Sequence, residues 1–182
     1  MKKNGFVKIS SGMFKGIKVL TPGEGTHPMG ERERIALFNL VGNDWREKKV
    51  LDAYAGGGTL GFEAMSRGAL WTVFVEKSTQ AIDLIRDNLD HIDAVDTSER
   101  VSNVQVTRCD VRDFEPIFQL DLIVVDPPYD KFETEGAEHL VQFLSDDGLF
   151  VLSHPNEAPE IKGLKLIKTR KYARAHLSVY AK

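Results

Sequence analysis

From Lys49 onward the chain alternates short apolar runs with stretches of helical periodicity, and that alternation leaves few architectures open. The runs are Val50-Leu51-Asp52-Ala53-Tyr54, Trp71-Thr72-Val73-Phe74-Val75, Val104-Gln105-Val106-Thr107, Asp121–Val125 and Leu149–Leu152. Leu122-Ile123-Val124-Val125 in particular is short and β-branched enough to be a strand buried in a parallel sheet. Helices are predicted between the runs. One opens at Gly56-Gly57-Gly58 and runs through Leu60 and Ala64 to Ser66. Another opens at Ser78 or Thr79 and buries Ile82, Ile85 and Leu89. A third carries Ala137, Leu140, Val141 and Leu144 at helical spacing. Asp93–Ser102 reads as a loop, and Asp147-Gly148 as the turn into the fifth strand. Strands separated by helices predict βαβ units, hence an α/β fold with a mostly parallel sheet. Leu164–Lys168 and Ala175–Tyr180 add an antiparallel hairpin at the end.

The first 44 residues have a different texture. Phe6–Ile9 and Ile17–Leu20 read as a small hairpin whose turn holds Gly12, Lys15 and Gly16. Residues 21–30 are too rich in Pro and Gly for regular structure. A helix is expected from Glu31 to Val41 with Ile35, Phe38 and Val41 on one side. Arg32 and Arg34 fall in its first turn, where the helix dipole does not favour cations. They serve either an anionic or acidic partner, or solubility. The expected division is therefore 1–44, a basic hairpin and helix appendage, and 45–182, the main domain.

Charge is distributed unevenly. The net charge of −3 contains seven Lys/Arg against three Glu in residues 1–34, and six Lys/Arg with no acid in residues 165–182. Basic ends around an acidic body are expected to hold a polyanion, with the chemistry in the middle; solvated edges are the plainer alternative. Nothing in the sequence approaches a membrane span, no apolar signal core follows the basic start, and the single Cys109 excludes an internal disulfide framework. A cytoplasmic protein is expected, and the five histidines show no metal-site spacing.

Two stretches carry candidate chemistry. Asp52-x-x-x-Gly56-x-Gly58-x-x-Gly61 joins the first strand of the alternating region to its helix, where glycines admit a ligand close to the backbone. Glu76 ends the next strand, twenty positions after Gly56, where a carboxylate can bind two ribose hydroxyls. That much also fits NAD. However, Asp52 would repel a pyrophosphate, and Asp110, followed by Val111, can accept a hydrogen bond from an adenine amine. A ligand with adenine, ribose and an amino-acid end but no phosphate matches S-adenosylmethionine. Glu76 as a helix cap and Asp110 as a turn residue are the plain alternatives.

The second stretch is Asp126-Pro127-Pro128-Tyr129, at the end of an apolar strand. The prolines make a rigid, extended loop. It presents a carboxylate, a carbonyl and an aromatic ring: two acceptors for the hydrogens of an amine and a face on which its ring can stack. The plain alternative is a tight turn capped by Asp126.

Taken together, Asp52–Ala64, Ser66-Arg67-Gly68-Ala69, Glu76-Lys77 and Asp126–Tyr129 resemble the RsmD-type 16S rRNA (guanine-N(2))-methyltransferases. So do Ile9-Ser10-Ser11-Gly12, Lys15-Gly16 and residues 31–39. The resemblance covers essentially the whole chain. It implies a Rossmann-like class I methyltransferase fold with a seven-stranded, mostly parallel sheet. It also implies S-adenosylmethionine as donor and a guanine 2-amino group of 16S rRNA, free or in an assembling small subunit, as acceptor; a monomer without a metal is expected. The catalytic set would be Asp126, Pro127 and Tyr129. The cofactor set would be Asp52, Tyr54, Gly56, Gly58, Glu76, Lys77, Asp110, Val111 and Asp126. Lys15, Lys18, Arg32, Arg34, Lys171 and Arg174 are the candidate RNA contacts. The chain departs from the family at His27-Pro28-Met29-Gly30, at Ser153-His154 and at Tyr172-Ala173. Methylation of another planar amine (adenine, or a protein glutamine), an NAD-dependent oxidoreductase and a silent RNA-binding module remain the alternatives.

Overall fold

In the computed structural model the described residues are 5–23, 29–95, 103–172 and 175–182. A two-stranded antiparallel hairpin, β1 (Gly5–Lys8) and β2 (Lys18–Thr21), precedes helix α1 (Glu31–Val41). Then come β3 (Lys49–Ala53), α2 (Thr59–Ser66), β4 (Trp71–Glu76), α3 (Thr79–Val95), β5 (Asn103–Arg108), β6 (Leu120–Val125), α4 (Glu135–Leu140), β7 (Leu144–His154), β8 (Lys165–Lys171) and β9 (His176–Ala181). The seven strands from β3 onward form one sheet in the order β5-β4-β3-β6-β7-β9-β8. β3 to β7 run parallel, and β9 is antiparallel to both β7 and β8. The expected α/β architecture and antiparallel C-terminal hairpin are both present.

Strand alternation divides the core between the two faces of the sheet. Leu51, Ala53, Val73, Val75, Ile123 and Val125 pack on one side with Ala137 and Leu140 of α4. Val50, Leu122 and Val124 pack on the other with Leu37 and Phe38 of α1 and Leu60 and Ala64 of α2. The N-terminal hairpin shares a third cluster: Ile9, Phe14 and Val19 meet Phe62 and Met65 of α2 and Ile85 of α3. Since β3 lies between β4 and β6, the connections after β3 and β6 leave in opposite directions. This is the switch point at which open α/β sheets leave a crevice beyond their carboxyl ends.

Several local expectations need correcting. Ile35 is exposed; the buried stripe of α1 is Arg34, Leu37 and Phe38. Asp147-Gly148 is not a turn before a strand. It lies inside the 11-residue β7, whose register against β6 jumps between Leu120 and Leu122, so Asp146 and Asp147 are extruded to solvent. Leu144 belongs to that strand, because α4 ends at Leu140 and a single tight turn covers Val141–Phe143. The expected loop at 93–102 begins late, since α3 continues to Val95, and 96–102 fall outside the described residues. Among the described residues no helix is long and apolar enough to cross a membrane.

Candidate active site

The loop Asp126–Tyr129 leaves the carboxyl end of β6 beside β7. The two strands are parallel with Val125 opposite Leu152, so Asp126 and Ser153 stand one step beyond the last pair. The Ser153 hydroxyl lies near enough to the Asp126 carboxyl to lower it. Its oxygen also lies 2.5 Å from the Tyr129 hydroxyl. One buried serine therefore ties the Tyr129 end of the loop to the neighbouring strand and acts on the carboxyl at its other end. Burial pushes the Asp126 carboxyl up to about 6, against the opposing pull of the Ser153 hydroxyl. Burial likewise raises the Tyr129 phenol to about 12, opposed by Ser153 and assisted by the charges of Asp126 and Glu33.

The glycine loop after β3 is pinned by carboxylates. Glu76 at the end of β4 accepts from the Gly56 N–H (3.0 Å) through one oxygen and from the Ser78 N–H (2.8 Å) through the other. Asp52 is nearly inaccessible and accepts from the Gly61 N–H at 2.8 Å. Burial lifts the Asp52 carboxyl well above its ordinary range, and the nearby charges of Asp126 and Glu76 raise it further, while the Gly61 bond opposes the rise. Gly61 has no room for a side chain: a Cβ there would collide with the Phe74 ring, so this glycine sets how closely α2 packs on β4. Tyr54 holds φ of 60°, a left-handed conformation that bulky residues adopt only under constraint. Its hydroxyl abuts Gly136 in the first turn of α4. After β5, Asp110 accepts from the backbone and guanidinium of Arg112, which hold its carboxyl down at about 2.

These elements enclose a cleft of about 810 Å³ at the switch point. Of the expected cofactor set, Asp52, Tyr54, Gly56, Glu76, Lys77, Asp110, Val111 and Asp126 line it, as do the expected catalytic Pro127 and Tyr129. Gly58 is absent from the lining. It stands in a left-handed conformation (φ 79°) just before α2, packed against Phe62, Phe74 and Ile85. Its requirement is conformational and steric, since a Cβ would press on those side chains.

The donor set limits what the cleft can hold. Glu76 already occupies the Gly56 amide, and Glu76 and Asp126 both lie close enough to raise the Asp52 carboxyl. Such a wall repels a pyrophosphate. It suits a cation that carries hydroxyls and an amine.

The candidate RNA contacts scatter. Lys15, Lys18, Arg32 and Lys171 are exposed and outside the cleft lining, and Arg174 lies outside the described residues. Lys18 places its ammonium 4.5 Å above the ring of Phe6, itself exposed on the hairpin. Arg34 corrects the expectation outright. It is 1% exposed, and its guanidinium is taken by Glu63 (3.4 Å), the Met29 carbonyl (2.9 Å) and the Lys8 carbonyl (3.1 Å), so it cannot reach RNA. Its acidic partner is internal. Glu63 also pairs with Arg67 and accepts from the amide and hydroxyl of Ser10, at 2.9 and 2.8 Å. This one buried carboxylate joins the hairpin, α1 and α2. Sequence reading missed Ser153, Glu63 and Glu33 as site or support residues; Glu33 lines the cleft from α1. A signal existed for Glu33: it sits four residues before the fully buried Leu37, on the same side of the helix.

Comparison with known proteins is consistent across sequence and structure. The family described as "Conserved hypothetical protein 95" matches residues 7–181. A Bacillus subtilis (strain 168) protein described as "Putative rRNA methyltransferase YlbH" is 31% identical over 97% of this chain and 99% of its own length. The "Ribosomal RNA small subunit methyltransferase D" of Haemophilus influenzae is 30% identical over 79% of this chain and 72% of its own. A solved structure described as "Putative methyltransferase yhhF from Escherichia coli" shares the fold with a TM-score of 0.82, at 24% identity over 97% of both chains.

Proposed function

The chain belongs to the family described as Conserved hypothetical protein 95, and from that premise we propose that it methylates the 2-amino group of a guanine in small-subunit rRNA, with S-adenosylmethionine as donor. The observation that carries this reading is the convergence, on one cleft at the switch point, of the carboxylate-pinned glycine loop and the Asp126–Tyr129 loop. When bound, S-adenosylmethionine supplies an electrophilic methyl group on a sulfonium. Glu76 would hold its ribose hydroxyls, Asp110 and Val111 its adenine, and the acidic wall around Asp52 its cationic end.

The acceptor side is the work of the second loop. An exocyclic amine conjugated with its ring is a poor nucleophile. Asp126 and the Pro127 carbonyl would accept its two hydrogens, turning the nitrogen lone pair out of the ring's conjugation and stabilising positive charge as it develops there. Tyr129 would stack on the base, a contact worth roughly 1–3 kcal/mol in single-strand binders. The tether to Ser153 holds the Tyr129 ring in one arrangement before substrate arrives, which favours alignment as the main source of acceleration. With its carboxyl near 6, Asp126 can also take the proton that the methylated nitrogen must shed. The Lys18–Phe6 surface of the hairpin, cationic and aromatic, suits an RNA strand.

Calorimetric titration separates this reading from an oxidoreductase: S-adenosylmethionine binds and NAD does not. Binding of NAD alone would overturn the proposal.

A further inference from the structure

We propose that Glu33 reads the ring nitrogen beside the reacting amine, and thereby selects guanine against adenine. This role rests on the acceptor site assigned above and deepens it. Met29 and Gly30, just before α1, and Glu33 in its first turn line the same cleft as Pro127, Tyr129 and Asp130. The carboxylate folds back against Gly30, where an added Cβ would collide with it, and stays at the cleft wall. It enters no ion pair with a described residue, since the adjacent Arg34 is committed to Glu63. Its charge reaches the Tyr129 phenol across the cleft. Neither folding nor the cofactor reading uses this group.

The chemistry available to it is specific. With the amine held by Asp126 and the Pro127 carbonyl and the ring on Tyr129, the next atom along the pairing edge is the ring nitrogen adjacent to the amine. In guanine that nitrogen carries a hydrogen, which a carboxylate accepts. In adenine it carries a lone pair, which a carboxylate repels. Asp126 and the Pro127 carbonyl cannot make this distinction, because both bases offer them the same amine hydrogens.

The test uses the full chain and an rRNA whose target guanine has been located by mapping the label, then replaced with 2-aminopurine. That base keeps the 2-amino group and has a bare ring nitrogen beside it. Wild type should favour guanine over 2-aminopurine by roughly 100-fold or more in kcat/KM. Glu33→Gln, whose amide can either accept or donate, should cut that preference at least about tenfold while S-adenosylmethionine affinity stays unchanged. An unchanged preference in the variant that still methylates guanine overturns the role of Glu33 alone. A lower affinity for S-adenosylmethionine overturns it too, by making Glu33 a donor-side residue. No transfer to either RNA by wild type overturns both this role and the reading beneath it.

Discussion

Replacing Asp126 by Asn should make the protein more stable and stop methyl transfer. The carboxyl ordinarily titrates at 3.8 and in the fold is pushed up to about 6 by burial at the mouth of the cleft. Because the folded value lies above the unfolded one, the protonated form is favoured by folding. That contribution is complete below pH 3.8 and is lost as the pH rises through about 6. At pH 7.5 the folded protein therefore carries an ionised group at a cost of about 3 kcal/mol. Asparagine has the same shape, bears no charge and keeps an oxygen for the Ser153 hydroxyl. Urea unfolding should show Asp126→Asn more stable than wild type by about 2–3 kcal/mol at pH 7.5, with the gain vanishing by about pH 4. Transfer should fall on the order of 10²–10³-fold, since the amide offers one acceptor where the carboxylate offered two. A variant no more stable than wild type at pH 7.5, or equally stabilised at both pH values, would refute the reasoning.

Other perturbations follow from the same contacts. Ser153→Ala frees the Tyr129 hydroxyl and removes the hydroxyl that lowers the Asp126 carboxyl, so transfer should drop roughly tenfold and the acid limb of kcat/KM should move to higher pH. Ser153→Thr should restore both, and an unmoved acid limb in Ser153→Ala would remove the tether from the mechanism. Glu63→Ala leaves Arg34 and Arg67 buried without their carboxylate and should cost about 3–5 kcal/mol in urea unfolding; a loss below 1 would contradict the network's importance. For RNA binding, Lys18→Ala should flatten the slope of log affinity against log salt by about 0.7, and an unchanged slope would take the hairpin off the RNA path.

What could be read from the sequence was local or periodic. The apolar runs from Val50 to Leu152 located all five parallel strands, and the glycines after Asp52 located the bend into α2, because both patterns lie within a few residues of their structural consequence. What could not be read depended on partners far along the chain. Arg34 reads as a surface cation until Glu63, 29 positions later, is brought against it. With that pair buried, α1 turns Ile35 outward. The raised carboxyl of Asp126 comes from walls assembled by segments far apart in the chain, and the Ser153 tether from a strand register that no local motif encodes. Asp147-Gly148 looks like a turn because its residues favour one, whereas the sheet absorbs them as a break in register within β7.

If this cleft orients a guanine 2-amino group toward a sulfonium methyl, the product nucleoside must show it. Labelled S-adenosylmethionine would be supplied with unmodified small ribosomal subunits, naked 16S rRNA and DNA, and the recovered nucleic acid digested to nucleosides. N2-methylguanosine should carry the label from the ribosomal substrates, and DNA should carry none. Label in methyladenosine, or in protein alone, would contradict this reading.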